Sequence, residues 1–145
     1  MKIGWMPLVL ILAALTGCSG LTIVADRYYV VDAFEAQQVA RKAEAIVDLR
    51  PPDEFEAGHV PGAISIPLNQ LWFRMYELPS ELDAVVLAYD DVLSRQARAG
   101  EMLKREGYYR VYFVRGGFSS WLAAGGASST APAPSPVYRR DSAIW

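Results

Sequence analysis

Cysteine occurs once in the 145 residues, at Cys18. That excludes an intramolecular disulfide, and it confines any thiol chemistry of the chain's own to one position. Histidine also occurs once, at His59. No apolar run reaches the roughly 20 residues that a membrane-spanning helix needs. Basic residues are scattered, and Arg139-Arg140 is too short to count as a patch. With a net charge of −2, the chain has no electrostatic footprint for nucleic acid. What is present suits one globular domain: 52% hydrophobic and 21% charged residues supply a core and a solvated surface.

The N-terminus reads as an address. Residues 1–17 are MKIGWMPLVLILAALTG, with Lys2 ahead of an apolar run, Ile3 to Leu15, broken only by Gly4 and Pro7. This fits the apolar region of a secretory signal peptide. The run ends in Leu15-Thr16-Gly17-Cys18, which resembles the lipobox of bacterial lipoproteins. The resemblance implies cleavage before Cys18 and a diacylglyceryl thioether on its sulfur. Acyl chains contribute about 0.8 kcal/mol per buried methylene, so two or three of them make a lasting anchor. Cleavage removes Lys2 and takes the net charge from −2 to −3. The expectation is a lipid-anchored, periplasm-facing protein of a bacterial cell envelope. Ser19 favours the outer membrane over the inner. A plain signal peptide with a chance cysteine is the alternative.

Residues 18–27 are then the lipidated cysteine and a connector, with Leu21 to Asp26 read as irregular. Strand character appears at Tyr28–Val31, Ala45–Leu49, Ala63–Ile66, Val85–Tyr89 and Tyr108–Val114. Helical segments alternate with these strands. One opens at Asp32, with Glu35 completing a capping-box-like pattern, and is expected to bury Phe34, Val39 and Ala43. A second, short one spans Asp53 to Ala57. Another spans Asn69 to Leu78, with Leu71, Trp72, Met75 and Tyr76 as its apolar stripe. A fourth opens near Ser94, with Ala99, Met102 and Leu103 inward. The last carries Phe118, Trp121 and Leu122. Alternation of this kind predicts an α/β fold, a parallel sheet with helices on both faces. From Ala127 the sequence ASSTAPAPSP is low in complexity, so residues 127–145 are expected to form an extended, mobile tail outside a domain of residues 28–126.

Two segments carry a family likeness. The first is Asp48-Leu49-Arg50, Glu54-Phe55 and Gly58-His59-Val60-Pro61-Gly62-Ala63. The second is Val114-Arg115-Gly116-Gly117-Phe118 followed by Trp121. Together they resemble the rhodanese-like domain, over about residues 28–124. The resemblance implies a single domain with a five-stranded parallel sheet flanked by helices. It assigns structural roles to Asp48, Arg50, Glu54, Gly58, His59, Gly62, Gly116, Gly117 and Trp121. Arg50 is expected to pair with Glu54, the two glycines of the first motif to serve tight turns, and His59 to fasten a loop by hydrogen bonding.

The family's chemistry lies on the loop after the fourth strand. There a cysteine thiolate takes a sulfane sulfur from a donor such as thiosulfate, and loop N–H groups stabilise the resulting anion. Aligning Val86 to Tyr89 with that strand puts Asp90 on the cysteine. The loop is then Asp90-Asp91-Val92-Leu93-Ser94-Arg95. A carboxylate cannot carry a persulfide. Val92 is β-branched and resists positive φ, Asp91 repels anions, and only Arg95 keeps a basic character. No catalytic residue is therefore expected, and no cofactor or metal. Asp90 is expected to accept N–H bonds from loop and helix in place of an external anion. The leading reading is an inactive domain that binds a protein partner or small ligand. Sulfur transfer or sensing through a partner's cysteine is one alternative. An Asp-based phosphatase-type hydrolase, with Asp90 as nucleophile or Asp90 and Asp91 on a hard cation, is the other.

Overall fold

The computed structural model describes residues 22–24 and 28–134. The signal-peptide and lipobox residues, and Pro/Ala/Ser-rich residues beyond 134, lie outside the described residues. Six strands form one sheet in the order β1-β2-β6-β5-β3-β4, with β1 Thr22–Val24, β2 Tyr28–Val31, β3 Ala45–Asp48, β4 Ile64–Ser65, β5 Val86–Tyr89 and β6 Val111–Val114. Five of these, β2-β6-β5-β3-β4, are parallel, as the alternation of strands and helices predicts. The sixth corrects the reading of residues 18–27 as a bare connector. Thr22 to Val24 pairs antiparallel with β2, Thr22 opposite Val30 and Val24 opposite Tyr28. Three residues are too few for a periodicity signal, and the pairing is satisfied by backbone rather than by pattern.

The helices are α1 Ala33–Ala40, α2 Pro52–Ala57, α3 Leu71–Arg74, α4 Leu93–Arg105 and α5 Gly117–Ala123. Asp32 caps α1, its side chain accepting the Glu35 N–H at 2.8 Å. Among the described residues no helix is long and apolar enough to cross a membrane. Strand side chains alternate between two cores. Val86 and Ala88 point to one with Leu71, Met75, Ala99 and Leu103, under α3 and α4. Leu87 and Tyr89 point to the other with Ala36, Phe55, Phe118 and Trp121, under α1, α2 and α5.

Several expectations about helix faces are corrected. Phe34 is 69% exposed rather than buried, because α1 turns Ala33 and Ala36 to the sheet instead. The segment expected to be one helix over Asn69 to Leu78 is a 3₁₀ turn, the single α-turn of α3 and a second 3₁₀ turn. The tighter winding moves Trp72 and Tyr76 into solvent and leaves only Leu71 and Met75 inward. Leu122 is likewise exposed. The tail boundary also moves. The Trp121 Nε1–H donates to the Ala127 carbonyl at 2.8 Å, and Ser129 exchanges backbone hydrogen bonds with His59 at 2.8 and 2.9 Å. Residues 127–129 are thus strapped to the domain, although their composition gives no sign of it.

Candidate functional site

In a parallel sheet the loops after the strands converge at one end, which is where such folds place their chemistry. Here Leu49-Arg50 follows β3, Asp90 follows β5, and Arg115-Gly116 follows β6.

The first motif is a closed network. Asp48 is fully buried and accepts from the Arg50 backbone N–H at 2.9 Å, from Arg50 Nη2 at 2.7 Å and from the Tyr89 hydroxyl at 2.8 Å. Arg50 Nη2 also donates to the Gly58 carbonyl at 2.7 Å, and the guanidinium lies 4.4 Å from the centre of the Phe118 ring. Glu54, the partner expected from sequence, lies farther out at 3.6 Å and is half exposed. Asp48 is the principal counter-ion. Burial works against the charge of Arg50, but the hydrogen bonds and charge of Asp48 outweigh it, and its pKa is raised. Tyr89 completes the network by accepting the Val60 N–H at 3.0 Å. Burial first, and then the adjacent Asp48 charge, push the Tyr89 phenol far above its ordinary value.

His59 is buried, stacked on Phe55 at 3.7 Å between ring centres, with Nδ1 2.8 Å from the Phe55 carbonyl. A carbonyl only accepts, so Nδ1 carries the proton. Its main chain holds the Ser129 strap, so both side chain and backbone fasten loops. Gly62 has a positive φ of 81° and turns the chain as expected. Gly58 does not: its backbone is extended, and a Cβ there would meet the Ser128 hydroxyl at 2.9 Å. The close neighbour of Gly58 is thus the strap rather than a turn.

Of the loop Asp90–Arg95, only Asp90 to Val92 is loop; Leu93 to Arg95 already form the first turn of α4. Val92 is extended, at φ −106°, in keeping with its β-branched side chain. Asp90 is fully buried. Its Oδ1 accepts the Val92 N–H at 2.8 Å and the Arg95 Nε–H at 3.0 Å. Its Oδ2 lies 2.9 Å from the same Nε but off the N–H direction, in charge contact without a hydrogen bond of its own. The donors are therefore one loop amide and one side chain; the helix backbone expected to contribute does not. Asp91 is spent elsewhere, its Oδ1 accepting the Ser119 N–H at 3.2 Å. The two carboxylates do not converge, and among the described residues no acidic, histidine or cysteine cluster could hold a metal ion.

Gly117 allows this approach. Its φ is +63°, and a Cβ would stand 2.2 Å from Asp91 Oδ1 and 2.5 Å from the Asp90 carbonyl oxygen. The second motif thus packs directly on the loop. Gly116, its neighbour, is the left-handed cap of α5, and Trp121 is buried on the same helix. Two residues that the sequence reading passed over complete the site. One is Tyr89. The other is Gln96, buried, whose Nε2 donates to the Asp90 carbonyl at 2.6 Å and the Val114 carbonyl at 2.8 Å. Gln96 shares a helical stripe with Ala99, Gly100 and Leu103. A polar residue on an apolar stripe was the available signal. Beside the loop lies a cleft of about 330 Å3, walled by Leu49, Pro51, Pro52, Pro67, Leu68 and Gln70, with Arg95 as its charged side chain.

The comparisons with known proteins agree with this geometry. Residues 30–124 match the family described as the Rhodanese-like domain. The chain is 38% identical over 81 residues to the uncharacterized protein YqhL of Bacillus subtilis, which covers 56% of this chain and 62% of that protein. It is 36% identical over 80 residues to a protein of Allochromatium vinosum named Sulfurtransferase, covering 55% of this chain and 73% of that protein. The chain therefore spans under two thirds of the Bacillus relative's length. Among solved structures, the Alr3790 protein of Anabaena superposes with a TM-score of 0.62 at 24% identity, over 69% of this chain and 82% of that one. At that identity the likeness is one of fold. Family match, sheet order and the buried Asp48–Arg50–Tyr89 network lead to one conclusion: the chain belongs to the rhodanese-like domain family.

Proposed function

We propose that this rhodanese-like domain has given up sulfur transfer and acts as a binding or regulatory module, held at a membrane of the bacterial cell envelope by a lipid on Cys18. One observation carries the first half. By the motif resemblance Asp90 takes the position of the family nucleophile, and its buried carboxylate draws in the Val92 amide and the Arg95 side chain. These donors would otherwise stabilise an anionic sulfur. The chain's single cysteine, Cys18, is the one thiol that could carry sulfur, and in this reading it bears the lipid. The separate engagement of Asp90 and Asp91 argues against a shared cation and so against phosphatase-type chemistry. The cleft beside Arg95 is the place for a small ligand. Its prolines and leucines supply apolar walls, and Arg95, half neutralised by Asp90, supplies hydrogen-bond donors rather than a free positive charge.

The lipid tether rests on the lipobox-like Leu15-Thr16-Gly17-Cys18 behind an apolar run. Two measurements test the reading. Calorimetric titration of the wild type with thiosulfate is expected to give no saturable heat, and tight binding would contradict a self-occupied loop. Cys18→Ala is expected to leave the protein unprocessed or release it from the membrane fraction. Unchanged size and retention would remove the tether.

A further inference from the structure

The antiparallel strand β1 fixes where the chain enters the domain. Thr22 is paired with Val30, one residue before the carboxyl end of β2, so the entry point lies at the end of the sheet that carries Asp90 and Arg50. Cys18 is four residues earlier. A chain reaches at most about 3.6 Å per residue, so a lipid on Cys18 lies within roughly 14 Å of Thr22. The opposite end of the domain lies one length of α4 away, about 20 Å for its 13 residues at about 1.5 Å each. A tether this short holds the carboxyl end of the sheet nearer the bilayer.

Of the nine large apolar side chains exposed among the described residues, five belong to segments that leave the carboxyl ends of strands, while Leu122 stands in the last turn of α5. Phe34 stands in the first turn of α1, after β2; Val92 and Leu93 open α4, after β5; Trp72 and Phe73 lie in α3, after β4. Phe34 is 69%, Phe73 77% and Leu93 70% exposed. These three points span the sheet from β2 to the outermost strand β4. By contrast Leu82 and Tyr109 precede β5 and β6, at the opposite end. Apolar side chains left in water around one end are unfavourable unless that end meets an apolar phase, and aromatic rings suit the bilayer interface. Acidic Asp32, Asp53 and Asp91 and basic Arg95 and Arg115 are mixed at this end, so apolar insertion rather than charge attraction is the driving contact.

We propose that the carboxyl end of the sheet is the membrane-facing surface of this protein, with Phe34, Trp72, Phe73 and Leu93 resting in the lipid headgroup layer. The Asp90 loop and its cleft then open toward the bilayer surface and sample ligands from it. The proposal rests on lipidation at Cys18.

The test uses the full-length gene product purified from membranes and reconstituted in vesicles of phosphatidylethanolamine and phosphatidylglycerol containing dibrominated phosphatidylcholine. A Trp145→Phe background leaves Trp72 and buried Trp121 downstream of Cys18. Trp72 emission is expected to be largely quenched. In a Trp72→Phe, Tyr109→Trp variant, which moves the probe to the opposite end, the quenching is expected to be lost. Intact mass separates the two layers of the argument. A chain without the diacylglyceryl group overturns the tether reading and the proposal with it. An acylated chain with no quenching at Trp72, or equal quenching at both probes, overturns the orientation alone.

Discussion

Replacing Asp90 by alanine removes an acceptor shared by two donors. The Val92 N–H bond to the buried carboxylate is charge-assisted, and such bonds contribute about 1.5–3 kcal/mol. The Arg95 pairing adds no more than about 1 kcal/mol, because that side chain is 36% exposed and screened by water. Together they give about 1.5–4 kcal/mol. At about 4–8 °C per kcal/mol for a domain of this size, the midpoint of thermal unfolding should fall by roughly 6–30 °C. The vacated position keeps its donors, so an oxyanion should refill it. A ligand present at about 100 times its Kd adds about 2.7 kcal/mol, enough to recover most of the loss. The assay is a thermal scan of wild type and Asp90→Ala, with sodium sulfate titrated against sodium chloride at matched ionic strength. Sulfate is expected to rescue the variant beyond the response of the wild type. A variant as stable as wild type, or one with the same sulfate response, would refute the reasoning.

Three further outcomes follow from the geometry. Asp48→Ala leaves the buried Arg50 without its principal counter-ion and should cost about 3–5 kcal/mol in denaturant unfolding, whereas Glu54→Gln, at 3.6 Å and half exposed, should cost under about 1 kcal/mol; equal losses would undo the assignment of partners. The Tyr89 phenol is raised in the folded state above the value of about 10 it has when unfolded, so its contribution is complete below pH 10 and is lost as pH rises above it. Stability should therefore fall by up to about 1.4 kcal/mol per pH unit on the alkaline side, and a Tyr89→Phe variant should lack that slope, though it is less stable at neutral pH for want of the bonds to Asp48 and Val60. Ending the chain after Gly126 removes the Ser129 pairing and the Trp121 acceptor and should cost about 2 kcal/mol, read from the denaturant unfolding curve.

Much of the fold was legible because its signals are local. Short apolar runs such as Ala45 to Leu49, set between turn residues, are what strands buried on both faces require. The glycines at 62, 116 and 117 mark positive φ directly. What escaped was non-local. Strand β1 is three residues held by pairing with β2, and the Ser129 strap is held by backbone bonds to His59; neither leaves a periodic trace. The exposure of Trp72 and Tyr76 follows from 3₁₀ turns that break the helical spacing read from the sequence, and that of Phe34 from Ala33 and Ala36 taking the buried face of α1. At the site, the sequence pointed to Asp90 by position. It could not show that the carboxylate turns to Arg95 and Val92 rather than to the helix backbone, or that Asp91 is held by Ser119. Gln96 and Tyr89 carry the site's remaining hydrogen bonds from positions that read as ordinary helix and strand.

The central claim is that the loop has lost its nucleophile and fills its anion position with its own carboxylate. The most direct measurement is a thiosulfate:cyanide sulfurtransferase assay of wild type and Asp90→Cys, both carrying Cys18→Ser so that the new thiol is the only one. The account predicts a silent wild type and measurable turnover in the variant, whose thiolate would face the Val92 amide and Arg95. Sulfur transfer by the wild-type loop, in a chain then devoid of cysteine, would contradict it.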